Sequence, residues 1–288
     1  MQKSRKNLCL IIIISLLCLI TVLSELICLP ITSDKTYNRL ICNLLPPFFG
    51  GIAVILLCKL TDSKIFGKPQ NLMYLIPCVI IAIDNFPFAA YFAGKMQLIY
   101  TRPIHFLLFG AYCLCVGVFE EIIFRYFLFS ALASRFERNK RGLLKTFIIT
   151  SLIFGEAHLL NILSGDGIAT TFLQAGYCVL TGGLFAFVFI KTKNILCAAG
   201  IHAIYNFCGL LFTSNVGLGT GSVLDLPTII TMTVVCVVCG GFILFKLAKI
   251  SDEEVLSLYR IIQIPIPPKS SSNSSKSGEN TEIPPKNQ

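Results

Sequence analysis

At 288 residues, 55% hydrophobic and only 14% charged, with a mean hydropathy of +0.76, the chain is too apolar for an ordinary soluble domain. Its apolar runs reach about 20 residues, enough to span a hydrocarbon core of roughly 30 Å, and they are continuous rather than alternating, which excludes a β-barrel. The formal charge of +9 does not point to nucleic acid, because most Lys and Arg residues flank apolar runs and no basic surface with interleaved aromatics stands out. The expected class is all-α: a polytopic membrane protein, a bundle of about eight transmembrane helices around a buried polar cavity.

Lys3, Arg5 and Lys6 precede a run over residues 8–30 that is too long for a signal-peptide core and lacks a small-x-small cleavage site. It is read as an uncleaved first span. The second span covers 40–60, with Pro46-Pro47 and Gly50-Gly51 expected to bend it, and the third covers 72–92, holding Asp84-Asn85. The fourth, 103–133, carries two adjacent carboxylates and a guanidinium. The fifth, 143–163, contains Phe154-Gly155-Glu156-Ala157-His158. The sixth, 168–190, has Gly176, Gly182 and Gly183 suited to close helix contact. The seventh, 195–212, contains His202 and Asn206, and the eighth covers 226–247. Residues 251–264 have a mixed pattern that suits an interfacial helix. The domain reading is a helical transmembrane domain over 1–264, its motif-bearing core at about 100–215, and a disordered cytoplasmic tail over 265–288, rich in Pro, Ser, Asn and Lys.

Eight spans place both termini on one side, and the charges say which. The inner ends would hold Lys3, Arg5, Lys6, Lys59, Lys64, Lys68, Arg135, Arg138, Lys140, Arg141, Lys145, Lys191, Lys193, Lys246, Lys249 and Arg260, against Lys35, Arg39, Lys95 and Arg102 outside. That asymmetry predicts cytoplasmic N- and C-termini. Thirteen cysteines lie mostly within apolar spans, and Cys236-x-x-Cys239 has no second pair, so they read as small buried hydrophobes.

In the fourth span, Glu120, Glu121 and Arg125 fall within six residues of an apolar run, where each charge costs roughly 2.5–3.5 kcal/mol at mid-membrane. Helical geometry sets Glu121 and Arg125 about 40° apart on one face, and Glu120 about 140° from Arg125. Glu121 is thus the structural partner and Glu120 the freer carboxylate, the candidate base. His202 and Asn206 share a helix face and can donate to one oxygen atom. A carboxylate and an imidazole around one water raise its basicity, and donors aimed at a developing oxyanion contribute most to the catalysis of acyl transfer. Glu120, His158, His202 and Asn206 therefore form a candidate site for peptide-bond hydrolysis within the membrane. His105 reads as interfacial and Asp84-Asn85 as structural. Glu156 stays open between supporting the site and facing a wet crevice.

Glu120-Glu121-x-x-x-Arg125, Phe154-x-x-x-His158 and His202-x-x-x-Asn206, in that order, resemble the three motifs of the CPBP family, the Abi or CAAX prenyl protease-like intramembrane endopeptidases. The resemblance covers residues 100–215 and implies a bundle of about eight helices around a buried cavity. It also implies a peptidase of glutamic type: Glu120 as general base, His158 helping to hold the water, His202 and Asn206 as the oxyanion hole, and Glu121 with Arg125 bracing the fourth helix. No cofactor is expected. The alternative is zinc on Glu120, His158 and His202 with water as fourth ligand, and it lacks the HExxH pairing of helical zinc proteases. The expected partners are the lipid bilayer and a peptide or membrane-protein substrate, in a bacterial plasma membrane or an endoplasmic reticulum. Two other functions fit the same residues: a transporter, since intramembrane Glu, His and Arg also mark ion paths, and a non-catalytic scaffold conferring immunity to a peptide toxin.

Overall fold

The structure is a computed structural model that describes residues 31–262, apart from 61–63, 100–101, 164–166, 214–215, 217 and 222–225. The expected first span and the 265–288 tail lie outside the described residues. Five helices are long and apolar enough to cross a membrane: α1 (Lys35–Leu60), α4 (Pro103–Glu121) with its continuation to Ala133, α6 (Lys140–Ala157) with its continuation to Ile162, α7 (Ile168–Thr192) and α9 (Leu226–Ala248). Two shorter apolar helices, α2 (Leu75–Asp84), preceded by a 3₁₀ turn at Leu72–Tyr74, and α8 (Ile195–Leu210), complete the bundle of described residues. The protein is an all-α integral membrane protein, and these seven match the second to eighth expected spans.

The third expected span, 72–92, is not one helix. The chain leaves α2 after Asp84 and resumes as α3 (Phe88–Phe92). Pro87 disfavours helical backbone at Phe86, and Phe88 N–H turns back onto Phe86 O at 2.7 Å. Asn85 uses this break: its Nδ2 donates to Tyr205 O of α8 at 2.8 Å, the neighbouring-helix bond that a polar residue in a span seeks.

The ends of the bundle differ. At one end the start of α1 meets the start of α4, and β1 (Met96–Leu98) pairs antiparallel with β2 (Gly219–Gly221), Met96 opposite Gly221 and Leu98 opposite Gly219. This two-stranded ladder was not apparent in the sequence. Gly221 sits at φ 141°, and a Cβ there would lie 2.7 Å from Lys95 O, so the pairing needs glycine. At the other end α6 starts on Asn139, whose side chain accepts from Gly142 N, and α8 starts on Asn194, which accepts from Cys197 N.

The mixed stretch after α9 is the amphipathic helix α10 (Asp252–Ile261), begun by a capping box between Ser251 and Glu254. It buries Val255, Leu258 and Tyr259 against the bundle and is pinned by Lys191 Nζ to Glu254 at 2.9 Å and Lys193 Nζ to Ser257 at 2.7 Å. The described cysteines carry no disulfide, and most are wholly or partly buried within the helices.

Candidate active site

Close helix approach builds the site. A Cβ on Gly117 would lie 2.6 Å from Ala199 O, so α4 and α8 meet backbone to backbone one turn before the acidic pair. Gly155 similarly lets α6 approach Ala175 O of α7, where a Cβ would lie 2.7 Å away, and Gly50 of α1 makes room for the Phe119 ring. Small residues at such crossings are what permits tight packing in lipid.

After Glu121 the helix passes into a π-helical stretch, Ile122–Leu128, before resuming as α5 (Phe129–Ala133). Arg125 lies in that stretch. Its Nε donates to Glu121 Oε2 at 2.9 Å, both side chains being fully buried, as the spacing predicts. The guanidinium carbon lies 4.8 Å from the centre of the Phe154 ring, close enough for a cation–π contact, while Nη1 and Nη2 have no hydrogen-bond partner among the described residues.

Glu121 does more than hold Arg125. Its other oxygen is 3.0 Å from Nδ1 of His202, a contact 81 positions away in the chain and invisible to helix periodicity. A carboxylate only accepts, so Nδ1 carries a proton, and the arrangement is that of a carboxylate orienting an imidazole. Phe185 stacks on the same ring, 4.3 Å between centres and 14° from parallel. His202 is thereby fixed in position with a proton on Nδ1, and its Nε2 lies 3.9 Å from Glu120 Oε2. Glu120 is part exposed, yet this Oε2 is buried without a hydrogen-bond partner.

His158 stands where α6 tightens into a 3₁₀ turn. Its Nδ1 is 2.9 Å from Phe154 O; a carbonyl only accepts, so Nδ1 is the protonated nitrogen and a neutral ring leaves Nε2 as an acceptor. The Phe154 ring is edge-on to both imidazoles, 5.1 Å from His158 and 5.9 Å from His202. Gly182 of α7 lies behind Phe154, where a Cβ would come within 3.0 Å of the ring. Asn206 is partly buried, one helical turn beyond His202.

The structure thus joins Glu120, Glu121, Arg125 and His202 by polar contact or near contact. His158 comes beside them across Phe154, and Asn206 follows from the register of α8. Glu156 is exposed. His105, expected to be interfacial, stands at the head of α4; it is 5% exposed and its Nε2 lies 2.9 Å from Asp34 Oδ2, joining the head of α4 to that of α1. The Tyr37 amide, aided by His105 and Arg102, holds Asp34 below the usual carboxylate range. The sequence reading missed Phe185, which only the crossing of α7 with α8 reveals.

No three His, Cys, Asp or Glu side chains among the described residues gather closely enough to hold a metal ion.

No curated protein and no solved structure is similar enough to match the chain. A family match does exist: residues 102–208, from the head of α4 to the Asn206 turn of α8, match the family described as type II CAAX prenyl endopeptidase Rce1-like. The match spans the three motifs, so over this core the chain resembles the CPBP, or CAAX protease-like, family of intramembrane endopeptidases.

Proposed function

We propose that the protein hydrolyses a peptide bond of a membrane-associated peptide or protein, with Glu120 as general base and no metal. The observation that carries this reading is the pairing of the two carboxylates with one imidazole: Glu121 orients His202, whose Nε2 faces Glu120 at 3.9 Å. Glu120 takes a proton from a water that His158 helps to hold through Nε2. The oxygen attacks the carbonyl carbon, and the carbonyl oxygen becomes an oxyanion. His202 Nε2 and the Asn206 amide donate to it, and Glu120 returns the proton to the leaving amine as the C–N bond breaks.

For His202 to donate through Nε2 while Nδ1 binds Glu121, the ring must carry both protons. The local charges suit that state: Glu120 and Glu121 supply two negative charges, Arg125 and the imidazolium two positive ones. A neutral ring would instead set its Nε2 lone pair against a carboxylate oxygen. In this reading Glu121 and Arg125 support the oxyanion hole in addition to bracing helix α4.

The family supports a membrane-associated protein substrate in the bilayer. The orientation, with both termini cytoplasmic, is supported by the excess of Lys and Arg at the end that carries α10. The test compares membrane peptides, by mass spectrometry, from cells carrying the intact protein or Glu120→Gln. Loss of a general base lowers the rate by about 10²–10⁴-fold, so specific cleavage products should vanish while the variant still accumulates in membranes. Products that persist with Glu120→Gln would overturn the assignment, and a biological effect that persists without cleavage would favour a binding role.

A further inference from the structure

At the end of the bundle that carries α10, cations fall into two groups. Lys191 is paired with Glu254 and lies 5.1 Å from the Tyr74 ring, Lys193 donates to Ser257, and Lys249 lies 4.4 Å from the Phe245 ring. Lys140, Arg141 and Lys145 make no ion pair among the described residues, Lys145 having only the Phe136 ring at 5.9 Å. They line an open groove of about 680 Å³ together with Glu137, Asn139, Leu144, Ile148 and Asp252.

The groove's acidic groups are already engaged. Glu137 accepts from the Asn139 side chain at 2.8 Å, and Asp252 accepts from Lys140 N at 2.9 Å. The amides at the start of α6 are engaged as well, Gly142 N by Asn139. Neutral donors leave both carboxylates charged, so the groove presents three cations against two acids, and its small positive excess lies on side chains rather than on a helix end.

Helix spacing sets what lies beneath them. Leu144 and Ile148 follow Lys140 at four-residue intervals, and Leu152 follows Ile148 by four more, so one face runs from cationic to aliphatic within two turns. Ile148 is 56% exposed and Leu152 44% exposed, while Leu143, Thr146, Phe147 and Thr150 turn inward. A free anion would use only the upper part of this face. A phospholipid uses both, its phosphate among the cations and an acyl chain along Ile148 and Leu152.

We propose that this groove is a binding site for an anionic phospholipid of the adjoining leaflet, independent of the peptidase chemistry. The full chain would be placed in nanodiscs of phosphatidylcholine containing a minor fraction of phosphatidylglycerol, and retained lipid read by native mass spectrometry. Each cation near a membrane surface is worth roughly a fivefold change in affinity. Lys140→Gln/Arg141→Gln/Lys145→Gln should therefore weaken phosphatidylglycerol retention about a hundredfold, and Arg141→Gln alone about fivefold. Lys64→Gln/Lys68→Gln, which changes cations outside the groove, should leave it unaltered. Should the triple variant not fold, the single variant decides. Equal retention by the variants would overturn the site, and displacement of the lipid by inorganic phosphate at comparable concentration would show an anion site with no lipid selectivity.

Discussion

Helices α7 and α9 are both apolar throughout and both long enough to span a bilayer, yet they live in different surroundings. In α7, 61% of the spanning window is buried within the bundle, against 11% in α9, although α9 is the more apolar of the two. Lipid is as apolar as a protein core, so hydrophobicity places a helix in the membrane without saying which neighbours it keeps. The difference lies in side-chain kind. The buried half of α7 offers Gly182 to α6 and Phe185 to α8, where they back Phe154 and stack on His202. The middle of α9 offers Val234, Val237 and Val238 to the outside, and Gly240 and Gly241 face open space.

The largest stability effect should come from the polar centre of the packed half. Glu121→Gln leaves the fully buried Arg125 without its countercharge, and breaking a buried pair in this way costs about 3–5 kcal/mol. Glu121→Gln/Arg125→Met removes both charges and should recover most of that stability. It should not recover peptidase activity, because His202 still lacks the carboxylate that holds its Nδ1–H. Denaturant unfolding in detergent, set beside a cleavage assay, separates the two. Activity that returns with the double variant would reduce Glu121 to a purely structural partner of Arg125.

Next in size is a contrast between two glycines. Gly117→Ala drives a methyl against Ala199 O and must push α4 from α8, an overpacking cost of about 1–3 kcal/mol. Gly240→Ala on α9 meets nothing within 4 Å among the described residues and should cost nothing, or stabilise by up to about 1 kcal/mol through helix propensity. Unfolding free energies of the two variants decide the matter. A costly Gly240→Ala would mean that α9 is covered, by a partner or by chain outside the described residues.

Much of this was legible beforehand, for identifiable reasons. Glu121–Arg125 is a contact within one helix, so the 3.6-residue period foretells it, and the three motifs gave the family resemblance. The spans follow from hydropathy, and the break of the third follows from Pro87, a signal present in the sequence that run length alone passed over. What could not be read is contact between helices. Glu121 with His202, Phe185 on His202 and Asn85 on Tyr205 each depend on which faces meet. The position of His105 near a span end suggested an interfacial residue but not its contact. Its partner, Asp34, belongs to the neighbouring helix end.

The smallest expected effect concerns the strap at the end of the bundle. Partial burial works against the charge of Glu254, but its bond from Lys191, the Ser251 amide and the nearby Lys193 outweigh that and hold its carboxyl below the ordinary value of 4.5. A depressed carboxyl stabilises the folded form above its unfolded pKa, and the contribution disappears as pH falls through the folded value. Docking of α10 should thus be unaffected near neutrality and weaken progressively below about 4.5. Hydrogen exchange of amides 252–261, corrected for intrinsic rates, should show the loosening, and Glu254→Gln should exchange at neutral pH much as the parent does in acid. Because the bond is part exposed, the change belongs to α10 alone, with α7 keeping its protection across the same range. Equal loosening of α7 would mean that the strap supports the bundle it covers, and the packed half would then owe part of its order to a segment outside the membrane.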